Sequence, residues 1–228
     1  VRRNVAPCCW SALILVLLAA RVQAADYKVE PLDEKPPAEL AAEIGKALSP
    51  TGIRISDAKG NPHCDLWLVA EWTVKPDFKA TNDHLYPFSS GQLLGAIRYA
   101  NKTEDFRKQA MTKGVYTLRY GLQPQDGNHV GTSDTRDFLV LIKAKDDTDA
   151  KPIAVEEELF KKAAAAAGTT HPTMLSLKRA GEKPAKLPAL RHEADHELWV
   201  LQAVSAAKAG DKSSPMAIEI VVVGHAAE

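Results

Sequence analysis

The residues whose types and spacing come nearest to chemistry are His192-Glu193-Ala194-Asp195-His196. Two histidines four positions apart project from one face of a helix, where they can hold a zinc ion. The glutamate beside the first can then act as general base toward a metal-bound water. On that pattern His192 and His196 are metal ligands, Glu193 is the base, and the chain is a zinc-dependent hydrolase.

The five residues resemble the zinc-protease signature, but their flanks do not. Asp195 and Glu197 put charge where a zinc helix is buried, and Trp199 stands where the extended signature has Gly. Pro184 and Pro188 bring the segment out of a loop. A third ligand would have to come from upstream or from the short remaining tail, whose candidates are Glu219 and His225, neither of which sits in a recognisable ligand helix. The following Leu198-Trp199-Val200-Leu201 reads as a strand. If the strand begins earlier, His192 and His196 stand about 13 Å apart along it. The expectation is a charged turn or strand start, with catalytic residues and cofactor both none and zinc as the alternative.

A second candidate is the polar loop from Gln123 to Asp137, which is longer than ordinary hairpin connections. Asp126, Asn128, Gly131, Asp134 and Asp137 fall at positions 1, 3, 6, 9 and 12 of a calcium-loop register. Val130 occupies a ligand position, Asp137 replaces the bidentate Glu, and helical flanks are missing. The plainer expectation is a loop held by its own turns, with Arg136 paired to Asp134 or Asp137. A loop of this length also suits a ligand or partner, with Asp126, His129, Asp134, Arg136 and Asp137 as the residues to watch. Neither a Gly-x-Ser-x-Gly elbow nor a Cys-x-x-Cys pair occurs.

The elements that must position these residues follow an export-like start. Arg2 and Arg3 precede an uncharged, apolar stretch from Trp10 to Ala20, too short to span a bilayer. Val22-Gln23-Ala24 then offers a cleavage site, which predicts a signal peptide over 1–24, cut after Ala24 or Ala25. The chain opens on Val, as a literally translated GTG codon would give, which points to a bacterial gene. Cys8 and Cys9 leave with the peptide, so Cys64 has no intramolecular partner and is expected to be buried. Twenty-nine Lys and Arg balance twenty-nine Asp and Glu. Nothing in that balance suggests nucleic acid or an anionic membrane, and no later segment is long and apolar enough to span one.

Residues 25–50 read as a polar arm followed by a short helix over Pro37–Leu48, on the spacing of Leu40, Ile44 and Leu48. Residues 51–228 read as one strand-rich domain. Strands are expected at Ile53–Ser56, Leu66–Val74, Leu93–Tyr99, Val115–Leu122, Phe138–Ile142 and Met216–Val223. In Val115–Leu122, Tyr116, Leu118, Tyr120 and Leu122 share the buried face, with Thr117 and Arg119 opposite. Trp67 and Trp199 are expected in the core. A helix is expected over Val155–Ala167, with acids early, lysines later and Gly168 as its stop. Gly181 to Pro188 reads as a loop.

The run Lys113-Gly114-Val115-Tyr116-Thr117-Leu118-Arg119-Tyr120 resembles strand starts in exported bacterial sandwich domains. Gly114 to Ile142 is similar to stretches of uncharacterised exported bacterial proteins. That resemblance implies a sandwich-like fold and no activity, so no functional residue is carried over. The expected class is mainly β, sandwich-like and antiparallel, with two or three short helices and α+β as the alternative. The expected function is a non-catalytic binding or structural module, periplasmic or extracellular, for an unidentified ligand or protein partner.

Overall fold

Period-2 patterning from Ile53 onward becomes strand after strand. The computed structural model describes residues 26–123, 135–181, 184 and 186–226. In chain order the elements are β1 (Tyr27–Leu32), α1 (Ala42–Ala47), β2 (Gly52–Asp57), β3 (Pro62–Leu68), β4 (Glu71–Thr73), β5 (Leu93–Tyr99), β6 (Thr103–Glu104) and β7 (Ala110–Met111). There follow β8 (Gly114–Leu122), β9 (Asp137–Lys143), α2 (Glu156–Ala167), β10 (Met174–Lys178), β11 (Ala189–Glu193), β12 (Leu198–Ala209) and β13 (Lys212–Val223). The chain is mainly β, as its alternation predicts.

Eleven strands form one sheet in the order β1-β2-β3-β5-β8-β9-β10-β13-β12-β11, with β4 lying parallel beside β12 and every other pair antiparallel. The sheet curls on itself. β10 is its corner: Met174–Ser176 pair with β9, while Leu177 and Lys178 pair with β13. The two halves then face each other as the layers of a sandwich do. Ile55, Leu66 and Leu68 on one side meet Leu201, Ile218 and Ile220 on the other, with Leu118 and Tyr120 between. Cys64 lies in this core at 1% exposure without a disulfide, and burial pushes its thiol pKa well up.

Four expectations change. The arm from residue 26 is a strand: β1 pairs with β2 from Tyr27↔Asp57 to Leu32↔Gly52. Tyr27 and Val29 turn inward while Lys28 and Glu30 stay exposed, and Pro31 is tolerated because β1 is an edge. The first helix is only Ala42–Ala47, although Leu40, Ile44 and Leu48 do cluster over Trp67. The single strand expected over 66–74 is two. β3 starts at Pro62 and ends at Leu68, and the chain then crosses to β12 as β4. As expected, Trp67 is fully buried, and Trp199, half-buried, packs against the main core.

The fourth change concerns β8. Tyr116, Leu118 and Tyr120 do enter the core, but Thr117 and Arg119 opposite are fully buried too. A second layer covers that face. It consists of the segment from Ala144 to Ile153 over β8 and of α2 over β9, where Leu159 and Ala163 meet Val140 and Ile142. The alanines that end α2 allow this: Ala163, Ala164 and Ala166 are buried, and small side chains let the helix lie close on the sheet. Gly168 stops the helix in the left-handed region at φ 71°. Glu158 and Lys162 pair at 3.1 Å. Gly91 is fixed by the same layer, because a Cβ there would lie 2.0 Å from the Ile153 carbonyl oxygen. Among the described residues no helix is long and apolar enough to cross a membrane.

Candidate functional site

The His-Glu-x-x-His residues do not form a helix. His192 and Glu193 end β11, Ala194–Glu197 make the turn, and Leu198 opens β12. The segment is a β-hairpin, with Glu197 at φ 51°. His192 pairs across it with Trp199, and its imidazole stacks on the indole at 4.4 Å. His196 is exposed in the turn. Glu193 is held by Lys178 at 2.9 Å and by Arg191. Burial raises its pKa, but those two cations outweigh it and keep the carboxyl below its usual range. It is an ion-pair partner on a hairpin, not a base set beside two ligand histidines on a helix.

Neither third-ligand candidate approaches the histidines. Glu219 accepts from the Gly181 N–H at 2.8 Å, Gln202 Nε2 at 3.2 Å and Arg191 Nη2 at 2.8 Å. His225 lies 3.2 Å from Glu104. Among the described residues no group of three His, Cys, Asp or Glu side chains is placed to hold a metal. The strand and turn chemistry of Ala189–Leu201 thus overrides the helical reading of His192, Glu193 and His196.

Of the loop candidates, Asp126, His129 and Asp134 lie outside the described residues. Arg136 donates to the Gln123 carbonyl at 2.7 Å, and its expected pairing with Asp134 lies outside the described residues. Asp137 is no exposed ligand. It is the first residue of β9, fully buried, and accepts from the Leu85 N–H at 2.9 Å, the Tyr86 N–H at 3.1 Å and the Tyr120 hydroxyl at 2.5 Å. Three donors on one carboxylate make it an anchor for the 85–86 segment.

The site that patterning did not reveal is a cleft of about 720 Å³ between the two facing halves of the sheet. Ile53, Leu66 and Leu68 of β2 and β3 line one side, and Ala203, Val204 and Ala206 of β12 the other. Pro31, Pro188 and Pro215 rim it, with Ser49, Thr51, Ser205, Ser213 and Ser214 as its polar groups. Ser205 Oγ is committed to the Val69 and Ala70 carbonyls, at 2.6 and 3.0 Å. Among the described residues no charged side chain lines the cleft, in a chain where one residue in four is charged. Val204 is 40% exposed here, and Val155 is the only other large hydrophobic so exposed among the described residues. The one signal in the sequence was Val204 itself, an apolar residue on the outward phase of β12.

Two sets of polar contacts lie near the cleft: Ser213 Oγ donates to Glu71 at 2.8 Å, and a network of charges stands behind β2 and β3. On the outer face of β2, β3 and β5, Asp65 takes Arg54 Nε and Arg98 Nη2, both at 2.7 Å, and Arg98 also reaches Glu34 at 2.7 Å. The Arg98 guanidinium lies 5.1 Å from the Trp67 ring centre. This network braces three strands.

Where β1 meets the far half of the sheet, rings replace backbone hydrogen bonds. Tyr27 touches Trp199 at 5.5 Å and His63 at 5.4 Å, and His63 touches Tyr99 at 5.9 Å. Burial lowers the His63 pKa below 6.5, against a smaller opposing effect of a hydrogen bond to the Val222 backbone. His84 shifts the same way, chiefly by burial. Both bind a proton more weakly when folded. Their contribution is therefore complete above about pH 6.5 and is lost as pH falls below it toward the folded values. Urea midpoints at pH 7.5 and 5.5 should show this loss, at no more than about 1.4 kcal/mol per pH unit per histidine. His63→Gln should flatten the dependence; an unchanged slope would remove His63 as its source.

Comparisons with protein-family models, with curated proteins and with solved structures find no match, so every role assigned to the cleft rests on its own geometry.

Proposed function

We propose that the chain is an exported, non-catalytic binding module whose cleft between β2–β3 and β12 takes an uncharged, apolar ligand. The observation that carries this is the cleft's lining: small apolar side chains and short hydroxyls, with no charge among the described residues, reaching the core at Leu66 and Leu68. Its volume falls within the usual range of ligand sites, and a few polar groups among many apolar ones is their usual make-up. An exposed Val204 in such a place is apolar surface that a ligand would remove from water.

The neutral fluorophore N-phenyl-1-naphthylamine tests it. Its emission should rise on the native protein and saturate. Val204→Lys puts a charge at the cleft and should weaken binding about tenfold or more, equivalent to roughly 1.4 kcal/mol. Saturable binding that Val204→Lys leaves unchanged would place the ligand elsewhere. Export rests on Arg2 and Arg3, the Trp10–Ala20 stretch and Val22-Gln23-Ala24. N-terminal sequencing of protein recovered outside the cytoplasm should begin at Ala25 or Asp26, and an intact Arg2 would count against it.

A further inference from the structure

We infer that residues 75–84 form a strap that docks on β8 through the neutral ring of His84 and releases when that ring takes a second proton. The segment 74–92 joins β4 to β5 without helix or strand and is longer than ordinary connections. Its second half is built into the core. Leu85, Tyr86 and Phe88 are buried, and Asp137 holds the Leu85 and Tyr86 N–H groups. Its first half is not. Across 75–83 every residue is exposed except Phe78, which is half-buried.

Few contacts tie this half down. The Lys75 N–H donates to the Pro87 carbonyl at 3.0 Å, and the turn from Thr81 to His84 closes on itself. Arg179 Nη2 reaches the Thr81 carbonyl at 2.9 Å and Asn82 Oδ1 at 3.2 Å. The other foothold is aromatic. The His84 imidazole meets the Phe78 ring at 4.8 Å, edge to face, and stacks over Tyr120 of β8 at 6.3 Å. One histidine thus joins the strap to the sheet.

That foothold suits only an uncharged ring. His84 Nε2 is sealed from water and has no hydrogen-bond partner among the described residues. An imidazolium carries an N–H on both nitrogens, so docking would bury one of them without an acceptor. Burial is the largest influence on the ring and works against the charge. Asp137 and a hydrogen bond to the Tyr86 backbone favour the proton, while Lys75 and Arg136 oppose it. Asp137 is already engaged by Leu85, Tyr86 and Tyr120. Released, the ring meets water and takes a proton at the ordinary imidazole value of 6.5; docked, it binds one more weakly. Docking is therefore complete above about pH 6.5 and is lost as pH falls below it. Release stops at Leu85, whose N–H Asp137 retains, so the strap opens without opening the core.

A nitroxide on Ala80→Cys reads the strap, since Ala80 is exposed and uncharged while the native Cys64 is buried. At about pH 7.5 its electron paramagnetic resonance spectrum should be slow, following the whole protein. At about pH 5 its correlation time should shorten about tenfold, to that of a nanosecond loop. His84→Phe keeps a ring between Phe78 and Tyr120 but takes no proton, and its spectrum should stay slow throughout. His84→Lys carries the charge at both pH values and should be fast at both. A parent spectrum without pH dependence, or the same transition in His84→Phe, would overturn the inference. If His84→Phe fails to fold, the proton resonance of the His84 C2–H decides. Its titration midpoint should coincide with that of the nitroxide, and separate midpoints would overturn the inference equally.

Discussion

Replacing Arg119 with Leu is expected to destabilise the protein by about 3–5 kcal/mol, because it breaks a buried ion pair from one side only. Arg119 is fully buried in the middle of β8, and all five of its N–H donors are used. Nε and Nη2 grip Asp147 at 2.7 and 2.9 Å. Nη1 reaches the Gly91 and Lys151 carbonyls, each at 2.8 Å, and Nη2 also donates to the Asp149 carbonyl. One guanidinium thereby ties the segment from Asp147 to Lys151 onto the sheet. Without it the Asp147 carboxylate stays buried with only Thr117 as a side-chain donor, and three carbonyls lose a partner. Arg119→Leu with Asp147→Leu should recover part of the loss, since no charge is then stranded. Urea denaturation of the single and double variants reads both effects. A single variant within about 1 kcal/mol of the parent would mean that water enters the site and screens the pair.

The strands themselves were legible because a half-buried strand writes its face into the chain at period 2, as Tyr116, Leu118 and Tyr120 do. What covers the other face was not legible. The layer over Thr117 and Arg119 comes from an irregular stretch after β9, whose Asp147 looks like any solvated acid until the fold brings it under β8. β1 escaped notice because an edge strand with Lys28, Glu30 and Pro31 carries few apolar residues. His192-Glu193-Ala194-Asp195-His196 was ambiguous for another reason. Local propensity allows helix or hairpin there, and the choice is made by the pairing of Ala189–Glu193 with Leu198–Gln202. The cleft left only Val204 as a trace, since its sides come from β2–β3 and from β12–β13 and meet only when the sheet curls. Asp137 shows the same limit. It sat in a calcium-like register, yet its partners, Leu85 and Tyr86, lie some fifty residues away.

Leu118→Ala should destabilise by about 2–5 kcal/mol, the range for deleting a buried leucine and leaving a cavity. Leu118 is fully buried in the main core and sits between Gly95 of β5 and Leu141 of β9, so the surrounding strands are paired on both edges and cannot collapse into the space. Its neighbour tests the second layer. A strand with one wet face would make Thr117→Ala nearly silent. Here the Thr117 hydroxyl is fully buried and donates to Asp147 Oδ2, on the carboxylate that Arg119 holds. Removing it takes one donor from a buried carboxylate, and the expected loss is about 1–3 kcal/mol. Thr117→Val keeps the shape and deletes only the hydrogen bond, so it should lose nearly as much as Thr117→Ala. The Thr117 and Arg119 effects should also be non-additive, because both act on Asp147. Denaturant melts of Leu118→Ala, Thr117→Ala, Thr117→Val and the Thr117→Val/Arg119→Leu pair decide it. A silent Thr117→Val would show that the face opposite Leu118 is open to water, and the layer from Ala144 to Ile153 would then be a lid rather than part of the core.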